Sequence, residues 1–407
     1  MNEIYLDYNA SAPCDPRVTE AVTKAMTDGF GNASSVHRFG LRQAAAVDEA
    51  RQHVAALVGG RPAGVIFTSG ATEANNLALG GLVASDAETW GPRTPSLVTP
   101  EAEAPGPLAP RLVISTVEHA SVSRTAESLA AAGRCELERA PVTPGGFVDL
   151  EALAAMLQPV GRVLLVSIMA ANSETGVLNP IAEIADLVHR AGGRFHCDAT
   201  QMIGRLPFDM SALGCDLVSL SGHKMCGPTG VGALVGTRQT LASMRPIGWG
   251  GGHERGLRSG SLNVAGIVGL GVAAELAARE QAAEAQAVGA LRDRFVGALQ
   301  RQLADVAQNG DVGRRLPNTA NLRFRRADAD AVMANLDPVA VSTGSACSAG
   351  AVEPSPALTA MGMSREAAFE SLRFSLGRFT TAADINAAVG KVVTAVRYVR
   401  SMTTEAA

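Results

Sequence analysis

The chain has 407 residues, of which 47% are hydrophobic and 18% charged, and its formal net charge is −4. This composition excludes a disordered or fibrous protein, and the small net charge argues against a large basic face, so no direct nucleic-acid partner is expected. At about 150 residues per domain, the length predicts two or three domains.

Cysteine spacing and apolar runs indicate the compartment in which the protein works. The six cysteines are widely scattered and include no CxxC pair, which is typical of a reducing compartment and argues against a zinc site. The first ten residues lack the basic and apolar regions of a secretory signal. The longest apolar run, near 163–171, is too short to span a bilayer. We therefore expect a soluble cytoplasmic protein with no bound metal and no membrane partner.

The first two thirds of the chain alternate short apolar runs with helical patterns. Runs rich in Val, Ile and Leu, without polar alternation, are typical of strands buried on both faces of a parallel sheet. They predict strands at 65–68, 112–115, 163–168, 194–197, 217–220 and 231–235. The clearest helix follows Asn179, with Pro180 at its start and Gly192 and Gly193 as its stop. This alternation predicts an α/β fold with a large, mostly parallel sheet.

A second region follows residue 262 and predicts a smaller α+β domain. Its predicted elements are a helix over 264–306, strands over 318–324 and 339–342, and a last helix over 382–398. We expect a large domain over residues 14–262, and a small domain made of 1–13 and 263–407. The segment 85–111 contains six prolines, and we expect it to be an exposed loop rather than a helix or a central strand.

Candidate functional residues follow the predicted strands, at the edge where open α/β sheets bind ligands. The segment 69–73 opens a helix after the first of these strands, and both an anion site and an ordinary helix cap stay open. Asp198 and Lys224 follow two later strands, and Lys224 is one of only three lysines. A lysine at this edge can form a Schiff base with an aldehyde cofactor, while an acid can hold a pyridinium N–H.

Two further side chains have the chemistry for a reaction at this edge. His119 follows the strand at 112–115, and it can stack on a ring and move protons, or it can simply cap a helix. Cys347 lies among small residues that predict an exposed loop, so it is the candidate reactive thiol. Cys14, Cys135, Cys197 and Cys215 have apolar surroundings in the sequence, and we expect them to be buried. For Cys226 we favour a packing role.

Over almost its whole length the chain resembles the NifS/IscS-type cysteine desulfurases, which are enzymes of the class-V aminotransferase group that use pyridoxal 5'-phosphate (PLP). Nine motifs occur in the family's order with similar spacing. They are Ile4–Pro13, Gly31–His37, Phe67–Glu73, Asp198–Gln201, Ser221–Lys224, Arg258–Ser261, Ser345–Cys347, Glu353–Ser355 and Leu372–Arg378. The resemblance implies the PLP-dependent transferase fold of type I, with the catalytic cysteine on a mobile loop at about 342–352.

The resemblance also implies a role for each matching residue. Lys224 would hold PLP, His119 would stack on its ring and move protons, and Cys347 would accept sulfur. The remaining implied contacts are Asp198 to the ring nitrogen, Gln201 to the ring hydroxyl, Ala71, Thr72, Ser221 and His223 to the phosphate, Ser261 to the phosphate of the other subunit of a homodimer, and Arg373 with Asn32 to the substrate. The family's ring-contacting Asn falls at Ser173 when counted back from Gly176, with Asn172 one step away, so both stay candidates.

The implied reaction removes sulfur from L-cysteine, giving L-alanine and a persulfide for an acceptor such as an iron–sulfur scaffold or a thiolation enzyme. Two alternatives stay open. One is another class-V PLP enzyme, such as a selenocysteine lyase, an aminotransferase or an epimerase, which would need no reactive Cys347. The other is an inactive scaffold that only binds sulfur-transfer partners, against which the intact set of Lys224, Asp198, His119 and Cys347 argues.

Overall fold

The computed structural model describes residues 3–90, 110–161, 163–343 and 353–405, with the backbone alone at 85–90 and 403–405. The described strands, numbered in chain order, are β1 (Ile4–Tyr5), β2 (Val65–Thr68), β3 (Arg111–Ser115), β4 (Glu136–Ala140), β5 (Val163–Met169), β6 (Arg194–Asp198), β7 (Leu217–Ser221), β8 (Gly232–Gly236), β9 (Val306–Gln308), β10 (Thr319–Phe324), β11 (Val339–Ala340) and β12 (Ser371–Ser375). All six strands predicted for the large sheet are confirmed, each within one residue at either end.

Helices pack around these strands, and most begin at a side chain that caps their free N–H groups; Asp149, for example, accepts from the N–H groups of Glu151 and Ala152. The described α-helices are α1 (Pro16–Thr27), α2 (Arg38–Leu57), α3 (Ala71–Trp90), α4 (Ala120–Ala131), α5 (Leu150–Met156), α6 (Ile181–Arg190), α7 (Arg238–Ser243), α8 (Val264–Gln302), α9 (Ala329–Ala334), α10 (Pro356–Ala360), α11 (Arg365–Phe369) and α12 (Ala382–Glu405).

Seven strands form the large sheet, in the order β2–β8–β7–β6–β5–β3–β4. Neighbouring strands from β7 to β4 are parallel, while β8 is antiparallel to both β7 and β2. Because β8 is antiparallel to both of its neighbours, β2 runs in the same direction as β7. The carboxyl ends of β2, β3, β5, β6 and β7 therefore meet at one edge, and the predicted mostly parallel α/β sheet is confirmed.

Both faces of this sheet are buried, as the absence of polar alternation predicted. Along β2, Val65 and Phe67 belong to one apolar core, and Ile66 between them belongs to the core on the opposite face. The same alternation occurs in β3, where Val113 faces one core and Leu112 the other. Helices cover each face, so the sheet holds the strand ends rigidly in place.

The C-terminal part builds a smaller core of its own. Strand β10 pairs antiparallel with β12 and β9, and the N-terminal strand β1 pairs in parallel with β11. Helix α8 joins the two cores: Ile267 and Leu270 in its first half pack on the large sheet, whereas Phe295 and Leu299 pack in the smaller core. The predicted domain boundaries stay a prediction.

Several expectations about element limits were wrong; helix α12, for example, continues to Glu405, seven residues past its predicted end at 398. Helix α3 continues to Trp90, six residues into the predicted loop, because the first proline comes only at Pro92 and nothing before it prevents a helix. The rest of that Pro-rich segment, 91–109, lies outside the described residues. The long helix α8 ends at Gln302, where the chain turns to form strand β9.

No helix in the described ranges is both long enough and apolar enough to cross a membrane.

Removing one aromatic ring should destabilise the smaller core strongly. The Phe374 ring is fully buried, 4.9 Å from the Phe295 ring and 6.2 Å from the Phe324 ring between centroids. We expect Phe374→Ala to lower the free energy of unfolding by about 3–5 kcal/mol, because it leaves a cavity. Urea denaturation followed by circular dichroism measures the loss. Phe379→Ala, at a half-exposed phenylalanine nearby in sequence, is the control; equal midpoints for both variants would contradict the packing described.

Candidate active site

A cavity of about 850 Å³ opens at the carboxyl edge of the large sheet. Each strand that ends there delivers residues to its wall, as expected for parallel strands. The predicted site residues that line it are Ala71 and Thr72 after β2, His119 after β3, Asn172 and Ser173 after β5, Asp198 and Gln201 from β6, Ser221, His223 and Lys224 from β7, and Arg373 from β12. The structure thus brings together residues that are up to 302 positions apart in the chain.

Lys224 ends a short 3₁₀ turn after β7, and its amine is held against the N-terminal segment. Its Nζ donates hydrogen bonds to the backbone carbonyl oxygens of Asn9 at 2.6 Å and Ala10 at 2.7 Å. Burial, together with the nearby Arg205 and Arg373 guanidinium groups, lowers the pKa of Lys224 from 10.5 to about 8. About a tenth of the amine is therefore neutral and nucleophilic at pH 7, against about one in three thousand for an ordinary lysine.

Asp198 is the last residue of β6 and is buried with both carboxylate oxygens held by neutral donors. Oδ1 accepts from the Thr200 N–H at 3.1 Å, and Oδ2 accepts from the Asn75 side-chain amide at 2.8 Å. Gln201 follows on the same wall. Its Nε2 donates to the Asn9 carbonyl at 3.1 Å and its Oε1 accepts from Arg205 at 2.5 Å, which leaves one N–H of the amide for a ligand.

His119 has one of the two roles that the sequence left open, the helix cap, while its stacking and proton-transfer role stays a prediction. It is the N-cap of α4, where its Nδ1 accepts from the Ser121 N–H at 3.1 Å. It also lines the cavity. Because the cap uses Nδ1 alone, the opposite ring nitrogen, Nε2, stays available for chemistry.

The start of α3 and the end of β7 lie side by side and suit an anion. A Cβ on Gly70 would lie 3.8 Å from the Ser221 Oγ, and a Cβ on Gly232 would lie 2.7 Å from the Gly70 Cα, so only glycine lets β8 approach this turn. The helix presents free N–H groups here. Burial lowers the pKa of His223 to about 4, so its ring is a neutral hydrogen-bonding group at pH 7.

Arg373 is fixed by groups from two distant segments. Its Nη2 donates to Asp7 Oδ1 at 2.6 Å and its Nη1 donates to the Ser173 carbonyl at 3.1 Å. Asn172 Oδ1 accepts from the N–H groups of Glu174 and Thr175, both at 2.9 Å, so this amide oxygen shapes the turn. Which of Asn172 and Ser173 contacts a ligand stays a prediction.

Three predicted residues are not on the cavity wall described here. Asn32 is exposed, and its Oδ1 accepts from the Ser34 N–H at 2.9 Å. Ser261 is exposed as well. Cys347 lies outside the described residues. The roles assigned to all three stay predictions.

The other cysteines lie mostly in the cores. Cys135, Cys197, Cys215 and Cys226 are buried, with Cys226 packed against Tyr8 and Ala12, which fits the packing role favoured for it. The expectation for Cys14 was wrong: this thiol is exposed, because it lies just before α1 on the surface.

Sequence reasoning missed several residues of this site. Asn9, Glu118 and Glu174 line the cavity, while Asp7 and Asn75 hold its wall. A signal existed for Asp7 and Asn9, which belong to the motif Ile4–Pro13, and for Glu118, which precedes His119. Asn75 carries no such signal, since its partner Asp198 is 123 positions away.

A profile of the family described as "Aminotransferase class-V" matches residues 4–388. A protein of Anaeromyxobacter sp. (strain Fw109-5) named "Cysteine desulfurase IscS" is 44% identical over 400 residues, which cover 98% of this chain and 94% of that protein. A solved "NIFS-LIKE PROTEIN" superposes with a TM-score of 0.85 at 30% identity, covering 98% of this chain and 100% of its own. "SspA in complex with cysteine" has a TM-score of 0.78 at 29% identity, covering 93% and 100%.

The buried Glu118 carboxyl should make the stability of the protein depend on pH. Its Oε1 accepts from the Ser115 hydroxyl at 2.5 Å and the Met169 N–H at 3.0 Å, while its buried Oε2 has no partner in the described part of the chain. Burial raises the pKa of Glu118 from 4.5 to about 8. The native state therefore keeps a proton that the unfolded chain loses between these pH values, so stability falls as pH rises, by up to about 1.4 kcal/mol per pH unit.

Glu118→Gln removes this titration while keeping the shape of the side chain. We expect the melting temperature of the variant, relative to the wild type, to rise from pH 5 to pH 8 and to level off above that. Differential scanning fluorimetry over pH 5–9 measures the difference, and Glu127→Gln, which removes an exposed carboxylate from α4, controls for loss of one charge. A difference that stays constant with pH would show that Glu118 is not held in its neutral form.

Proposed function

The chain belongs to the class-V aminotransferase family, and we propose that it works as a PLP-dependent cysteine desulfurase. In this reaction L-cysteine and an enzyme thiol give L-alanine and an enzyme persulfide. The Cβ–S bond of the substrate breaks, an S–S bond forms on Cys347, and a proton takes the place of sulfur on Cβ. The observation that carries the proposal is the position of Lys224: of three lysines, it alone is among the described residues that line the cavity, whose wall also includes Asp198.

The residues of the cavity fit PLP in their chemistry. The partly neutral Lys224 amine suits an aldehyde, and the Asp198 carboxylate suits a protonated ring nitrogen. The helix N-terminus at Ala71 and Thr72, with Ser221 and His223 beside it, suits a phosphate. Gln201 has an amide N–H left for the ring hydroxyl, and His119 lies on the same cavity wall.

When bound, PLP would supply an electron sink that weakens bonds at the α- and β-carbons of cysteine. Lys224 would take the proton from the substrate Cα and return it later, a task suited to an amine whose pKa is near 8. Arg373, locked by Asp7, would bind the substrate carboxylate with a planar guanidinium. His119 would move a proton through Nε2, because Nδ1 is occupied by the helix cap.

A homodimer would complete the site. Ser261 is exposed and is not among the described residues that line the cavity of its own chain. We infer that Ser261 adds its hydroxyl to the phosphate site of a second copy. The acceptor would be a protein that receives sulfur from Cys347, either an iron–sulfur scaffold or a thiolation enzyme. The free cysteines fit a reducing compartment, and we place the reaction in the cytoplasm.

Two substitutions separate the roles of the amine and the thiol. Lys224→Ala should remove the yellow colour of the purified protein and lower alanine formation from L-cysteine by at least about a hundredfold. Cys347→Ser should keep the colour but lose sulfide release to a similar extent, whereas the exposed Cys14→Ser is the matched control. Absorbance spectra and parallel assays for alanine and sulfide measure both effects.

Three outcomes would contradict the proposal. Full sulfide release by Cys347→Ser would show that the persulfide does not form on Cys347. Keto-acid formation without alanine would favour an aminotransferase. A colourless wild type that takes up no PLP would favour an inactive scaffold.

A further inference from the structure

Asn75 lies on α3, and its amide joins two parts of the site that the chain keeps far apart. The residue is completely buried. Its Nδ2 donates to Asp198 Oδ2 at 2.8 Å and to the Ser121 Oγ at 2.8 Å. A carboxylate can only accept, so the nitrogen of this amide, and not its oxygen, must face Asp198. Each of the two amide hydrogens therefore has its own acceptor.

Ser121 carries the chain of hydrogen bonds on to His119. Its backbone N–H donates to His119 Nδ1 at 3.1 Å, and its Oγ lies 2.8 Å from the same nitrogen. A backbone N–H can only donate, so Nδ1 must hold a lone pair rather than a proton. Because Oγ already accepts from Asn75, the hydroxyl hydrogen is free to donate to Nδ1 as well. Both contacts place the single proton of the neutral ring on Nε2.

We propose that Asn75 is a positioning residue that links Asp198 to His119 through Ser121, holding the carboxylate in place and keeping the His119 proton on Nε2. The link itself does not depend on the proposed function; only its consequence for PLP binding and catalysis does. In a desulfurase, the ring nitrogen of PLP would meet a fixed carboxylate, and His119 would present an N–H donor to its ligands from the start of the reaction.

The neutral chemistry of the link explains why an asparagine suits this position. A lysine or arginine here would neutralise Asp198, and a second carboxylate would repel it. The amide instead holds Oδ2 without supplying a charge, as the Thr200 N–H does for Oδ1 at 3.1 Å. The remaining atom, Asn75 Oδ1, is buried and has no hydrogen-bond partner within the described ranges, so the two donated hydrogen bonds carry the function of this side chain.

The tautomer of His119 can be read directly by NMR of full-length protein labelled with ¹⁵N-histidine. The chain has seven histidines, and His119→Gln identifies the signals of this ring. In the wild type we expect Nδ1 to show the shift of an unprotonated nitrogen and Nε2 that of a protonated one, both with PLP and after its removal. A ring protonated on Nδ1 in the wild type would overturn the proposal.

Two variants test the link itself. Asn75→Leu keeps most of the side-chain volume but removes both donated hydrogen bonds, which frees the Ser121 oxygen to accept from Nδ1. Ser121→Ala removes only the hydroxyl, so it remains informative if the first variant folds poorly. In each variant we expect the ratio of the Nδ1-protonated to the Nε2-protonated tautomer to rise about fivefold, the effect of losing one hydrogen bond. An unchanged ratio in both variants would overturn the proposal.

Matched controls and a second readout complete the test. Asn76→Leu and Ser123→Ala change the same residue types on the same helices. The Asn76 amide is not bonded to Asp198, and the Ser123 hydroxyl is not bonded to the His119 ring.

Titration of the PLP absorbance should show about tenfold weaker binding to Asn75→Leu than to Asn76→Leu, since Asp198 loses a donor. Equal affinities would refute the proposed role of Asn75 in holding Asp198. If the wild type bound no PLP, the proposed function would fail, while the tautomer measurement would still decide the link between Asn75 and His119.

Discussion

The contact between the Lys224 amine and the N-terminal segment determines how the site is built. Two backbone carbonyls, of Asn9 and Ala10, hold the amine at the edge of the large sheet. The Asn9 side chain in turn donates to the Ser173 carbonyl at 3.0 Å and to the Thr319 hydroxyl at 2.9 Å. One buried residue thus connects the lysine and the segment after β5 of the large sheet to strand β10 of the smaller core.

Burial then sets the charge of the groups around this amine. It lowers the pKa of Lys224 to about 8 and of His223 to about 4, and it raises the pKa of Glu118 to about 8. All three shifts favour the neutral form, as expected where water is excluded. A partly neutral amine and neutral side chains at Glu118 and His223 thus result from one cause, burial at the strand ends.

The sequence predicted the strands and helices of this protein better than the hydrogen bonds between them. Uninterrupted apolar runs identify buried parallel strands, but β4 was missed because its residues ELERA are mostly charged and partly exposed, with no apolar run and no strict alternation. The motifs identified Lys224, Asp198 and His119, since strand ends share one edge. Asn75 could not be found this way, because its hydrogen bond to Asp198 spans 123 positions. Such contacts depend on the tertiary fold.

We propose that Lys224 is the amine that captures the cofactor. Borohydride reduction of the purified full-length protein loaded with PLP, followed by peptide mass spectrometry, identifies the lysine that carries it. The chain has only three lysines, so a single digest distinguishes them. One of the other two, Lys24, is exposed on α1. We expect the phosphopyridoxyl mass on Lys224 alone, at about one per chain. The same mass on Lys24 or Lys391, with Lys224 unmodified, would contradict it.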